Sequence, residues 1–239
     1  MGSAKEISVK VIPAGVARPF VKIHHYSGKV VNNSKLHFGA FLDGKLHGVM
    51  SFGPPMDKSK VLGLVVDANG NPAPWNDMLE LNRMAFDDVL PKNSESRAIA
   101  VAVRLIRKYA PNIKWILSFA DGTQCGDGTI YRASGFKLTQ IKENKALLRL
   151  PDGTTIHEVA LRTVESAKRP ELGGKTWLEA MAGGASTAEY CRKTGAKPIP
   201  GFQLRYIKII DPAYHLAVPE LPFSAIAERG AGMYKGEKR

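Results

Sequence analysis

The sequence predicts an α/β fold: a mixed, mostly antiparallel central sheet flanked by helices, with a C-terminal extension. Three observations carry this expectation. Residues 78–86, 94–109 and 113–120 read as strand, helix and strand, an order that implies a crossover and parallel pairing. Residues 36–42 and 45–52 flank Asp43-Gly44, the signature of a two-residue type I′ hairpin. After Thr163 the composition shifts toward Gly, Ala, Lys and Pro, which marks the extension.

The totals bound the function. The chain has 239 residues, of which 44% are apolar and 23% charged, so a packed globular core is expected. No apolar run reaches the ~18 residues of a membrane span. The segment MGSAKE lacks the apolar region of a secretory leader, so no export is expected. Two cysteines, Cys125 and Cys191, fit a reducing cytoplasm better than a disulfide framework. A net charge of +12 makes a polyanionic partner the first expectation.

Taken in order, residues 5–12 alternate as a first strand that Pro13 ends. Ala17, Phe20, Val21 and His24 fall at helical spacing and predict a helix over 16–24. In the hairpin register, Leu42 is expected opposite Lys45 and His37 opposite Met50. His37 would then share a face with Phe41, Leu46, Met50 and Phe52, as a hydrogen-bonded core histidine. Residues 56–77, with Gly63, Gly70, Pro72 and Pro74, read as a long loop able to serve as a lid or substrate-binding arm.

The strand 78–86 carries Leu79, Leu81, Arg83 and Ala85 on one face and Glu80, Asn82, Met84 and Phe86 on the other. Glu80 and Asn82, an acid beside an amide, read either as an edge position or internal salt bridges, or as a substrate-facing carboxylate with a positioning amide. Asn93 or Ser94 caps the following helix. Ile99, Ala102, Val103 and Ile106 form its buried stripe. Arg97, Arg104 and Lys108 line up along another side, as a solvated face or a phosphate-tracking one. Asp121 follows the strand 113–120 at its C-terminal end, where open α/β sheets place ligands. A short helix at 130–134 carries Tyr131 and closes on Gly135. Residues 136–142 and 146–161 read as a closing antiparallel ribbon, and 201–210 as one more strand. The expected division is a catalytic domain over 1–165, a loop-rich insertion over 166–200, and a final strand with a tail over 201–239.

Several common site signatures are missing: no Walker loop, GxGxxG, GxSxG or HExxH occurs. His24 and His25 diverge on any regular backbone, so a shared metal would need a further ligand from elsewhere. Cys125 lies among acidic Asp-Gly pairs that would raise its thiol pKa, which argues against a nucleophile. The stronger candidates are polar groups from separate elements. His25 and Tyr26 can act as acid, base or donor. Arg83 can clamp an anion. Asp121 and Tyr131 flank one loop at one sheet edge.

The element order and the phrase GTIYRASGF resemble the GNAT N-acetyltransferase fold. The blocks HHYSG (24–28), LHFGAF (36–41), LELNRMAF (79–86), NSESRA (93–98), FADGTQCGDGTIYRASGF (119–136) and RYIKIIDP (205–212) resemble the Mom family of phage DNA-modification proteins. That resemblance implies a GNAT-like enzyme, phage- or prophage-encoded and working in the bacterial cytoplasm. It would convert adenine in DNA to N6-(carbamoylmethyl)adenine and so shield phage DNA from restriction. The family's catalytic positions carry over to His25, Tyr26, Arg83, Asp121 and Tyr131, with Ser96 at the helix start.

The resemblance also implies acetyl-CoA or another acyl or glycyl donor, and iron is associated with the family. Amides and side chains of Asn93, Ser94, Ser96 and Arg97 would hold the donor's anionic part at the helix N-terminus. Glu80, Asn82, Arg104 and Lys108 would face the DNA. The partner would be double-stranded DNA with a flipped adenine. One departure is visible: PKNSESRAIA lacks the glycines of a GNAT pyrophosphate turn. The competing readings are a CoA-dependent N-acetyltransferase acting on a protein or small amine, and a non-catalytic DNA-binding protein.

Overall fold

A computed structural model describes residues 3–123, 126–163, 170–234 and 237–238. Cys125 lies outside the described residues. Seven strands form the main sheet, labelled β1 (Ser8–Val11), β2 (Leu36–Leu42), β3 (Lys45–Gly53), β4 (Met78–Phe86), β5 (Trp115–Asp121), β6 (Lys137–Asn144) and β7 (Gly201–Ile209). Their order is β1-β2-β3-β4-β5-β7-β6. Only β4 and β5 run parallel; the other neighbours are antiparallel. The expected class is therefore present: a mixed, mostly antiparallel sheet flanked by helices.

Two helices cover opposite faces. In α1 (Ala14–His24) the buried positions Ala17 and Val21 are four apart and pack on Val49 and Ala85. In α2 (Ser94–Tyr109) Ala98, Ile99, Ala102, Val103 and Ile106 make a continuous apolar stripe. That stripe meets Phe38, Met50, Phe52, Leu81, Ile116, Ala120 and Leu204 in the main core. Arg107 and Lys108 in the last turn of α2 complement its dipole.

Two bulges correct the expected register and faces. Asp43 (φ 50°) and Gly44 (φ 77°) make the I′ turn, and Leu42 pairs with Lys45 as expected. The ladder then shifts between Ala40 and Phe41, so His37 pairs with Ser51 instead of Met50. His37 is buried with its Nδ1 2.8 Å from Ser51 Oγ, while Met50 and Phe52 face α2. In β4, Arg83 pairs with Ser51 and Leu81 with Phe52, leaving Asn82 as the extra residue. The alternation therefore skips at Asn82. Leu81 and Met84 both face α2, and Ala85 packs on α1 at the opposite face.

Residues 56–77 cover the sheet. Val61, Leu64, Val65 and Ala73 are buried against Trp115, Leu117 and Ile207, and Val65–Asp67 pairs with Tyr214–Leu216. The expected ribbon partner of β6 is also corrected: β6 pairs with β7. Leu147–Arg149 pairs instead with Thr155–His157, around the turn at Asp152-Gly153. Within 147–199, Leu148, Leu150, Leu161, Leu178 and Tyr190 bury a separate small cluster. Residues 221–231 join the main core through Ala225, Ile226 and Ala231.

Candidate active site

The one parallel pair determines where the site lies. β4 and β5 stay in register for three rows, from Met78↔Trp115 to Glu80↔Leu117. Beyond Leu117 their paired rows end, and the wedge between them becomes a cleft of about 380 Å³. His25, Tyr26, Arg83, Asp121 and Tyr131 all line it. Five residues from four separate segments of the chain therefore meet at the C-terminal end of β5.

His25 caps the C-terminus of α1. Its Nδ1 accepts the Ser27 backbone N–H at 3.2 Å and lies 2.8 Å from Ser27 Oγ. An Nδ1 that accepts leaves the proton on Nε2, so the ring is a neutral donor. Burial, and secondarily the Arg83 charge, push its pKa from 6.5 down to about 4. His24 goes elsewhere, with its ring 4.3 Å from that of Phe20, so the two histidines do diverge.

The Tyr26 ring lies 4.4 Å from the His25 ring, and its hydroxyl donates to Asp121 Oδ2 at 3.4 Å. Asp121 Oδ1 accepts the Thr123 N–H at 3.0 Å. The turn-forming role of Asp121 and its placement in the cleft thus coexist, one oxygen serving each.

Arg83 is anchored by backbone. Its Nε donates to Lys29 O at 3.0 Å and its Nη1 to Asn82 O at 2.7 Å. It forms no salt bridge with a described carboxylate, so its charge faces the cleft. Asn82, 7% exposed, accepts from Ser34 Oγ at 3.0 Å. Glu80 opens on an adjoining cavity. Its pKa is raised by burial, against the opposing effects of a hydrogen bond from Asn82 and the charge of Arg83.

Sequence reasoning missed the support of Tyr131. Its ring packs 5.3 Å from that of Tyr206, which is fully buried on β7. The Tyr206 hydroxyl donates to Asp127 O, and burial pushes its pKa up. A Cβ on Gly128 (φ 75°) would lie 2.6 Å from the Tyr206 ring, so glycine is required there twice over. Tyr206 shares the core face of β7 with Leu204, but no sequence signal ties it to the 126–128 turn.

The other candidates divide. Asn93 and Ser96 line a third cleft at the start of α2, of about 340 Å³. Ser94 is fully buried and outside it. Arg97 turns away, its Nη2 3.4 Å from Lys5 O. Arg104 and Lys108 are exposed on α2 and line none of these three cavities. The third cleft is a poor fit for a CoA pyrophosphate. Asp88 and Glu95, with Asp87 bonded to His47 at 2.9 Å, outnumber Lys92 there. The Ser94 N–H is taken by Pro91 O. Among the described residues, no three of His, Cys, Asp and Glu form a metal-sized group, and no helix is long and apolar enough to cross a membrane.

The chain is thus a helix-covered mixed sheet that opens at its parallel β4–β5 pair. It is similar in fold to ribosomal-protein-S18-alanine N-acetyltransferase from Escherichia coli: TM-score 0.45, 9% identity, covering 86% of this chain and 94% of that one. It is also similar to a GNAT family acetyltransferase from Elizabethkingia anophelis with acetyl-CoA bound: TM-score 0.39, 14% identity, covering 58% and 81%. The chain belongs to the Mom protein family, which matches residues 6–225. It is 35% identical over 163 residues to methylcarbamoylase mom of Escherichia phage Mu. The match covers 68% of this chain and 64% of the relative, so it spans slightly less than two thirds of the relative's length.

Proposed function

We propose that this protein is a phage DNA-modifying transferase that attaches a carbamoylmethyl group to N6 of adenine. The observation that carries the reading is the meeting of His25, Tyr26, Arg83, Asp121 and Tyr131 in one cleft of a Mom-family chain. The phage Mu relative is a methylcarbamoylase, which supports transfer of a small amide-bearing group; that the group is carbamoylmethyl follows from the resemblance to the Mom family. The net charge of +12 suits a DNA substrate.

Each residue has a role that its surroundings support. Asp121 Oδ2, held by the Tyr26 hydroxyl, accepts the N6 proton as N6 bonds the methylene carbon of the donor and the bond from that carbon to its leaving group breaks. Arg83, anchored on two carbonyls, holds an anionic group of donor or DNA without needing to reorganise. Neutral His25 offers Nε2–H to a carbonyl oxygen of the donor. Tyr131, packed on Tyr206, forms the wall on the α2 side. The donor carries a carbamoylmethyl unit with the leaving group on its methylene carbon, because attack at an activated acyl carbonyl would give an N6-amide instead. The acidic lining at the start of α2 argues against a CoA pyrophosphate in that position.

The test is expression in bacteria, digestion of total DNA to nucleosides and mass spectrometry. A heavier adenine is expected with the wild-type chain. Asp121→Ala should abolish it while duplex binding persists. Soluble wild-type protein that leaves adenine unmodified would refute the function. A fully active Asp121→Ala would refute the role given to Asp121.

A further inference from the structure

A second cavity, of about 270 Å³, adjoins the central cleft and shares Tyr26, Arg83, Phe119 and Asp121 with it. It adds Glu80, Asn144, His157 and Gln203. These come from β4, the end of β6, the hairpin strand Thr155–His157 and β7.

The polar groups are aimed by their other contacts. Asn144 Oδ1 accepts the Ala146 N–H at 3.1 Å, which leaves its NH2 as the group for the cavity. Gln203 stands directly opposite Asp121 in the ladder, and its amide bonds no described group. His157 Nδ1 accepts the Val159 N–H at 3.2 Å, leaving Nε2–H. Tyr26, 57% exposed, and Phe119 supply flat walls.

Aromatic walls edged by amides and carboxylates suit a nucleobase. Adenine is the one DNA base without a carbonyl oxygen. Its edge offers an NH2 donor and ring-nitrogen acceptors only. Two carboxylates, Glu80 and Asp121, accept from the NH2 and repel the keto oxygens of the other three bases. The amides of Gln203 and Asn144 supply donors for the ring nitrogens.

We infer that this cavity receives the flipped base, that Gln203 and Asn144 read the ring nitrogens of adenine, and that Glu80 excludes bases bearing keto oxygens. The inference rests on the function proposed above and gives that site its specificity-determining residues. The donor then approaches from the α2 side and the base from the opposite face, meeting at Tyr26 and Asp121.

The test compares Gln203→Leu and Asn144→Ser with the wild type. The second keeps an oxygen acceptor for Ala146 N–H, removes the NH2 donor and adds no charge. Two readouts are taken: modified adenine per total adenine in cellular DNA, and affinity of purified protein for an unmodified duplex by fluorescence anisotropy. The expected result is a fall in modification of about tenfold or more in each variant, with duplex affinity unchanged because neither substitution alters a charge that phosphates would meet. Unchanged modification in both variants, or a fall matched by an equal fall in duplex affinity, overturns the inference and leaves the function standing. A wild-type chain that leaves DNA unmodified overturns both.

Discussion

His25 offers the sharpest test of the electrostatics. Its pKa falls from 6.5 to about 4, chiefly through burial and secondarily through the Arg83 guanidinium. In the folded chain the ring stays neutral, whereas in the unfolded chain it takes a proton as pH drops below 6.5. Above 6.5 both states are neutral and the ring costs nothing. As pH falls from 6.5 toward 4 the unfolded state binds more protons and stability declines. The loss is complete below about 4, where the folded ring also protonates. At ~1.4 kcal/mol per tenfold difference in proton affinity, the full loss is about 3 kcal/mol, and residual solvent contact makes this an upper figure. NMR titration of the His25 ring protons checks the pKa directly. Denaturant midpoints at pH 7 and pH 4.5 check the energy, which should shrink in His25→Gln. Arg83→Met removes the smaller cause, so the pKa should rise yet stay below 6.5. A ring titrating near 6.5 in the wild type would refute the argument, and with it a neutral donor at Nε2.

Three further outcomes follow from the supports of the site. Arg83→Lys cannot keep bonds to both Lys29 O and Asn82 O while facing the cleft, so modification should fall at least about tenfold with stability changed by less than about 1 kcal/mol. Gly53→Ala would bring a Cβ to 2.7 Å from Asn33 O and 2.8 Å from Asn82 Oδ1; it should cost about 1–3 kcal/mol by urea denaturation and reduce activity beyond that loss. Gly128→Ala adds a left-handed penalty to a contact with the buried Tyr206 ring, about 2–4 kcal/mol together, and should shift Tyr131 enough to be seen in its near-UV circular dichroism signal.

Much of the scaffold was legible because it is local. Asp43-Gly44 defined its turn, the spacing of Ala98 to Ile106 defined α2, and the strand–helix–strand order required the parallel β4–β5 pair. What stayed illegible depends on tertiary pairing. The bulge at Asn82 exists only because β3 is the partner of β4, and it moves Leu81 and Met84 onto one face. The partner of β6 lies more than fifty residues away, beyond a local hairpin that satisfies its own ladder. Asn93 shows a middle case. The missing glycine was readable, but its left-handed backbone at φ 71° was not. Asn tolerates that conformation better than most residues, so the turn forms without glycine.

The same two irregularities explain why the cleft lies where it does. A parallel pair that ends after three rows leaves backbone groups of β4 and β5 without ladder partners on that side. Buried carbonyls must find donors elsewhere. The bulge turns the Asn82 carbonyl toward Arg83, whose Nη1 takes it, and the Arg83 Nε reaches across to Lys29 O. The guanidinium therefore both satisfies the carbonyl of the bulge residue and supplies a positive charge to the cleft. Lys29 follows directly on HHYSG, so the same contact brings the His25–Tyr26 segment over the wedge. A polar candidate on β4 and a polar candidate after α1, unconnected in the sequence, belong to one site because the sheet opens between β4 and β5 and a single arginine at that opening ties β4 to the segment after α1.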